Sequence, residues 1–314
     1  MVFMFPGQSS HDPTMFERLL ALRAGNRQRV EEASAVLGRD LARWYRSDHA
    51  DAFGTNRDIQ VGVFLANHLF MESLEAEGIT AGLSLGLSLG EYNHLVHIGC
   101  LGFADALRLV NARGAAFDQG AEGSMASVFP IELTELQEVV ARTRDSGLLE
   151  IANLNSPQQH VISGERAAVE AARTILEREY MVDAVIIESR IPMHSSRFRP
   201  VADLLRPTLA AAPWRPSRRP YLPNVLAEIV PSPTPALLVD LLCRHVHQPV
   251  RWRASIDVLA DRYPDATFVE VGPRSVLYNL LSPRWRRVHR DKTDSVGDLA
   301  AAFAATAARL RDAA

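Results

Sequence analysis

Only two cysteines occur among the 314 residues, Cys100 and Cys243. That scarcity argues against a disulfide framework and makes a reducing, cytoplasmic setting the expectation. No apolar run approaches the roughly 20 residues that a membrane-spanning helix needs. The opening Met-Val-Phe-Met-Phe reaches a Pro-Gly break at residues 6–7 with no basic stretch ahead of it, too short for the apolar core of a secretory signal. Neither sign of charge dominates. The 34 Lys and Arg residues face 37 Asp and Glu, a net charge of -3, which argues against nucleic-acid binding and polybasic membrane attachment. There is no long internal repeat. What remains is a globular composition, 47% hydrophobic and 23% charged, with length for one large domain or two smaller ones.

The order of apolar patterns gives an architecture. Residues 2–5 read as a short buried strand stopped by Pro6-Gly7. Helical spacing runs over 14–22 and 59–77, a buried strand over 79–85, and a helix from Gly90 onward. Strands followed at once by helices predict an α/β fold with a mostly parallel sheet. The middle has another rhythm. Strands at 124–129, 148–154, 159–163 and 182–187 alternate with helices at 133–144 and 165–179. That β-α-β-β-α-β order is the ferredoxin-like arrangement, expected as a small subdomain over 123–189 inserted between 1–122 and 190–314. Residues 207–235 are proline-rich and read as a long surface connection with one strand near 221–225. A late strand covers 268–271, and an alanine-rich helix covers 296–311.

Two overlapping G-x-S-x-G patterns occupy 82–90, one centred on Ser84 and one on Ser88. Such a motif can present a serine on a sharp turn between strand and helix, where flanking glycines avoid side-chain clashes. The helix N-terminus beneath favours developing negative charge. By itself the pattern is equally an ordinary βα turn. Ser84 falls inside the apolar strand, whereas Ser88 stands at the turn before the helix, so Ser88 is the candidate nucleophile.

The segment Gly86-Leu87-Ser88-Leu89-Gly90-Glu91-Tyr92 resembles the active-site segment of malonyl-CoA:acyl-carrier-protein transacylases and polyketide synthase acyltransferase domains. Ordered similarities extend along nearly the whole chain: Phe5-Pro6-Gly7-Gln8 near the start, Gln60, Arg113-Gly114, Asn153 with Asn155, His194-Ser195, Pro249-Val250-Arg251-Trp252, and Glu270-Val271-Gly272-Pro273. The resemblance implies an α/β-hydrolase-like unit carrying a ferredoxin-like insertion. It implies Ser88 as nucleophile and His194 as its base, because a serine hydroxyl is a poor nucleophile unless a neighbour takes its proton. It implies an oxyanion hole from the backbone N–H groups of Gln8 and Leu89, and a main-chain carbonyl at His245 that orients His194. It implies Arg113 as the partner of a substrate carboxylate, with Gln60 and Asn155 in the substrate site. No metal or bound cofactor is implied; a CoA or phosphopantetheine thioester is the substrate.

Two departures bear on that substrate, and a third, at His245, falls on a main-chain contact. Leu87 stands where the family usually has histidine before the nucleophile, and Met193 precedes His194 where the family's substrate-linked motifs have other residues. Both make the pocket edge apolar and adaptable. His245 is itself a change from the family pattern. The expected activity is transfer of an acyl group, malonyl by default, from CoA or a carrier protein to an acyl carrier protein. Two alternatives stay open: a shuttle for an atypical aminoacyl or peptidyl group, and a hydrolase that clears stalled carriers. The expected partner is an acidic acyl carrier protein docking on a basic face, either Arg215, Arg218 and Arg219, or Arg284, Arg286, Arg287, Arg290 and Lys292 around Trp285; a solvated charged surface is the plainer reading. A monomer is expected.

Overall fold

A computed structural model describes residues 1–295 and 297–312. Its named strands are β1 (Val2–Phe5), β2 (Leu83–Gly86), β3 (Ser124–Phe129), β4 (Leu149–Leu154), β5 (His160–Gly164), β6 (Asp183–Glu188), β7 (Thr267–Glu270) and β8 (His289–Lys292). They form a parallel sheet in the order β2-β1-β7-β8 and an antiparallel sheet in the order β4-β5-β3-β6. The mixed α/β expectation holds.

The apolar run of β1 is explained by burial on both faces. Phe3 and Phe5 point into the core built with the helix Asn56–Ala76, while Val2 and Met4 point into a second core with Leu85, Phe268 and Ile256. A central parallel strand has no wet face, so alternation disappears. The helix Asn56–Ala76 is likewise buried nearly all round. Thr55 caps it by accepting from the Asp58 backbone N–H. Its buried Asn67 donates to the Pro6 carbonyl and to Asn93, and Asn93 donates to the Phe64 carbonyl. These bonds satisfy polar groups that would otherwise be costly inside the core.

Several boundaries differ from the sequence reading. The strand expected at 79–85 is β2, Leu83–Gly86, and ends at the turn before Ser88. No strand forms over 221–225. Tyr221 makes one isolated bridge to Val230, because Pro220 and Pro223 lack the N–H groups that a ladder requires. The helix Arg199–Ala210 runs through Pro207, which was assigned to the irregular connection. Pro207 lies in the last turns, where its N–H would still have been used, so the helix gives up one backbone bond there. The basic stretch around residue 290 contains an edge strand, β8, which its charge concealed. The C-terminal helix spans Leu299–Asp312, and Val296, read as its first residue, lies outside the described residues. Among the described residues, no helix is long and apolar enough to cross a membrane.

The antiparallel sheet is tied to a segment outside both sheets. Leu154 N–H donates to the Val250 carbonyl, and Val250 N–H donates to the Ala152 carbonyl, at 2.9 and 2.8 Å. These bonds tie β4 to the segment that follows the helix Pro235–His247.

Glycines 86 and 90 let the turn between β2 and the helix Gly90–His97 pack against β1. A Cβ on Gly90 would lie 2.0 Å from the Phe5 carbonyl oxygen, and one on Gly86 2.0 Å from the Gly90 carbonyl. Backbone cannot yield as a flexible side chain can. Gly90→Ala is therefore expected to destabilise the protein by about 3 kcal/mol or more, read as a fall in Cm at unchanged m in urea; an unchanged Cm would contradict this packing.

Candidate active site

The turn that leaves β2 is pinned from both sides. Leu87 N–H donates to the Phe5 carbonyl at 2.9 Å. Ser88 follows with φ 49°, in the left-handed region that a non-glycine residue enters at a cost of about 1–3 kcal/mol. Its N–H donates to Asn224 Oδ1 at 2.8 Å, and Asn224 Nδ2 donates to the Gly86 carbonyl at 2.6 Å. The strained conformer is thus fixed by groups outside the turn itself.

Ser88 Oγ lies 2.8 Å from His194 Nε2, although the two residues are 106 positions apart. His194 is also held at positive φ, 59°. Its N–H donates to the Val246 carbonyl at 3.1 Å, and its Nδ1 lies 2.7 Å from the His245 carbonyl. A carbonyl only accepts, so Nδ1 carries the proton and Nε2 presents a lone pair to Ser88. Burial, with the Arg113 guanidinium nearby, holds His194 down to about 3. The imidazole is consequently neutral at physiological pH, with the Nε2 lone pair directed at Ser88 Oγ.

Arg113 comes from the helix Phe103–Phe117 and is almost fully buried. Nη1 donates to Gln60 Oε1 at 2.6 Å, and Nη2 reaches Ser88 Oγ at 3.3 Å. Gln60 in turn donates to Gln8 Oε1 at 3.3 Å. Its guanidinium lies 4.1 Å over the Phe117 ring. Among the described residues no carboxylate bonds to it; burial lowers its pKa, and the Tyr92 and Glu91 side chains oppose that.

In front of Ser88 opens a cavity of about 300 Å³. One side is lined by Gln8, Leu87, Ser88 and His194, the other by residues of the antiparallel sheet, including Met125, Ser127 and Val161. Met193 and Asn155 also line it, and the buried Asn155 Oδ1 has no partner among the described residues. Arg113 and Gln60 are not among the residues that line this cavity, although Arg113 Nη2 reaches Ser88 Oγ, which does line it. Leu89 has its side chain in the core, so only its backbone N–H can serve the site. Neither that N–H nor the Gln8 N–H donates to another group among the described residues. His245 offers its carbonyl, and its ring points away toward Glu91.

A family model described as the acyl transferase domain matches residues 2–292. The chain belongs to this acyltransferase family. The acyltransferase is 30% identical to the malonyl CoA-acyl carrier protein transacylase of Bacillus subtilis over 302 residues, covering 95% of this chain and 93% of that protein. The transacylase of Escherichia coli K12 is 29% identical over 282 residues, 88% and 90% of the two chains. A crystal structure of the Clostridium perfringens transacylase superposes with TM-score 0.89 at 26% identity, covering 99% of this chain and 97% of that one. A type II polyketide synthase acyl-carrier protein in complex with its malonyl-transacylase gives TM-score 0.87 at 26% identity, with 97% and 99% covered.

Ser84 has a different fate in this acyltransferase. It is buried on β2 between two histidines of the following helix, 2.7 Å from His94 Nδ1 and 2.8 Å from His97 Nδ1. Leu222 N–H donates to His94 Nε2, so His94 Nδ1–H donates to Ser84, and the Ser84 hydroxyl donates to His97. The chain of bonds is complete and opens onto no cavity described here. Asn224 was missed by sequence reasoning. It sits in a proline-rich segment 136 residues from Ser88, and no local pattern announces the contact.

The basic clusters are partly consumed internally. Arg286 pairs with Asp257 and Asp261, Arg290 donates to the Tyr278 and Leu281 carbonyls, and Lys292 donates to Ser275. Arg219 donates to the His97 carbonyl. Arg284 and Arg287 remain exposed.

Burial holds His94 down to about 3 and His97 to about 4. The unfolded chain takes up those protons near pH 6.5, so it binds more protons than the folded chain between about 6.5 and 4, and stability falls as pH drops through that window. A non-titrating His97→Asn variant avoids part of this loss. The margin in melting temperature of the parent protein over the variant is expected to shrink between pH 7 and pH 4.5; an equal margin at both would contradict the assignment.

Proposed function

We propose that this acyltransferase transfers a malonyl-class acyl group to the phosphopantetheine thiol of an acyl carrier protein through an ester on Ser88. His194 Nε2 accepts the Ser88 proton as Oγ attacks the thioester carbonyl. The tetrahedral oxyanion is taken up by the Gln8 and Leu89 backbone N–H groups, each such donor contributing about 3–4 kcal/mol to lowering the barrier. The C–S bond breaks, and the imidazolium returns its proton to the departing thiolate. The carrier thiol then enters by the same steps in reverse. CoA or phosphopantetheine is a substrate here, and the proposed steps use no bound cofactor.

The observation that carries the malonyl assignment is Arg113, a buried guanidinium without a bound carboxylate, 3.3 Å from Ser88 Oγ. Burying such a charge unpaired is costly. A substrate carboxylate accepting from it would offset that cost and align the acyl carbonyl at Ser88, as a bidentate pair does. The relatives' names support the same substrate and carrier. The apolar wall of Leu87, Met125 and Met193 favours a second reading, in which a bulkier or atypical acyl group is shuttled between carriers.

We read the antiparallel β4-β5-β3-β6 sheet and its helices, residues 123–189, as a ferredoxin-like subdomain inserted into an α/β-hydrolase-like unit of residues 1–122 and 190–314. Carrier docking is assigned to the exposed Arg284 and Arg287 beside Trp285, at a cavity of about 780 Å³ that shares Gln159, Val276 and Leu280 with the active-site cavity. All catalytic groups come from one chain, so the monomer is taken as the active unit. The free, buried Cys100 and Cys243 suit a reducing cytoplasm.

Incubation with malonyl-CoA followed by intact-mass measurement tests the reading. The parent protein and Ser84→Ala are expected to gain one malonyl unit, and Ser88→Ala none; an adduct on Ser88→Ala would overturn the nucleophile. Arg113→Ala is expected to lower malonyl loading at least a hundredfold, a loss of about 3 kcal/mol in transition-state binding. Equal loading would point to the atypical acyl group. With cognate carrier supplied, acyl carrier should form faster than free malonate; the opposite order would make the enzyme a hydrolase.

A further inference from the structure

Glu91 lies one turn beyond Ser88, fully buried, and has no part in the steps above. Among the described residues its two hydrogen-bonding neighbours are both donors. The Tyr221 hydroxyl donates to Oε1. The Asn224 backbone N–H donates to Oε2 at 3.2 Å, and His245 Nδ1 lies 3.3 Å from the same oxygen. A backbone N–H cannot accept. The His245 ring has one assignable proton, because its buried Nε2 meets no partner. An unpaired ring lone pair is tolerated better there than an unpaired N–H, so the proton belongs on Nδ1, aimed at Glu91. Two hydrogen-bond donors, with the His245 ring nitrogen in contact beside them, are the surroundings of a carboxylate. Burial opposes ionisation and pushes Glu91 up to about 7, while its donors and Arg113 work the other way.

Two of these three neighbours, Asn224 and His245, lead directly to the reacting groups. The Asn224 side chain fixes the Ser88 N–H and the Gly86 carbonyl, at 2.8 and 2.6 Å. The main chain of His245 supplies the carbonyl that orients His194, and the next carbonyl, Val246, accepts the His194 N–H. One carboxylate oxygen thus joins the segment holding the nucleophile to the segment holding the base. The Arg113–Gln60 pair bonds to none of these groups except Ser88 itself.

We propose that Glu91 is a positioning residue: its carboxylate, bonded to the Asn224 N–H and in contact with the His245 ring, sets the approach of His194 Nε2 to Ser88 Oγ. The proposal rests on the reading of these two as nucleophile and base.

The test measures the rate of acyl-enzyme formation with malonyl-CoA by rapid quench and intact mass. Glu91→Gln keeps the shape but turns an N–H₂ group toward a site built for an acceptor. It is expected to slow acylation roughly tenfold to a hundredfold, as small misplacements of reacting groups do, with KM for malonyl-CoA within about threefold because the Arg113 clamp is untouched. His245→Phe keeps the carbonyl and removes only the ring donor. It is expected to slow acylation at least fivefold, and the double variant to be no slower than Glu91→Gln alone. Acylation by Glu91→Gln within twofold of the parent rate, a KM that rises in step with the lost rate, or losses that multiply in the double variant would each overturn the proposal. Should Glu91→Gln not fold, His245→Phe decides: an unchanged acylation rate overturns the proposal. Failure here is distinct from failure of the nucleophile assignment. Glu91→Gln still accumulates a full adduct, slowly, whereas Ser88→Ala accumulates none.

Discussion

The Phe5 carbonyl is the fixed point of this molecule. It accepts the Leu87 N–H, it forbids any side chain at Gly90, and it ends the central strand of the parallel sheet. A turn as tight as the one at Ser88 would relax if it were free, since a serine at φ 49° is strained. Packed against β1, and with its own amide engaged by Asn224, it has nowhere to relax to. His194 repeats the device on the opposite side, with positive φ and both its backbone N–H and its ring N–H engaged by carbonyls of one segment. Proximity is therefore built in before any substrate arrives.

A second constraint is electrostatic. Arg113 is a cation in the core; with burial, the larger cause, it depresses His194 and keeps the imidazole neutral. The same charge opposes protonation of Glu91 on the far side of the turn, against the burial that favours it. The solvation of this cation is replaced by Gln60, by the Phe117 ring and by the Ser88 hydroxyl.

Ser88 was legible in the sequence because the required context is local: a strand, two glycines and a helix lie within ten residues. The β-α-β-β-α-β run was legible for the same reason, since each element carries its own periodicity. His194 and Arg113 had no local signature and came from ordered resemblance. Asn224 and the donors around Glu91 were not legible, because partners 130 or more residues apart meet through folding alone. Charge hid β8, whose four residues are polar at a sheet edge, and proline mimicked a loop at Pro207 inside a helix.

The bonds between β4 and Val250 have a mechanical meaning beyond tying down one sheet. Val250 lies five residues after His245 and four after Val246, whose carbonyls hold His194. The antiparallel sheet, which forms the far wall of the cavity, is anchored to that same short stretch of chain. Tilting the wall to admit a wider guest would tug on the imidazole's tether. Guest size and proton transfer share one linkage, so repacking of side chains such as Met125 or Met193 can retune the acceptable guest without disturbing the linkage, and movement of the sheet cannot.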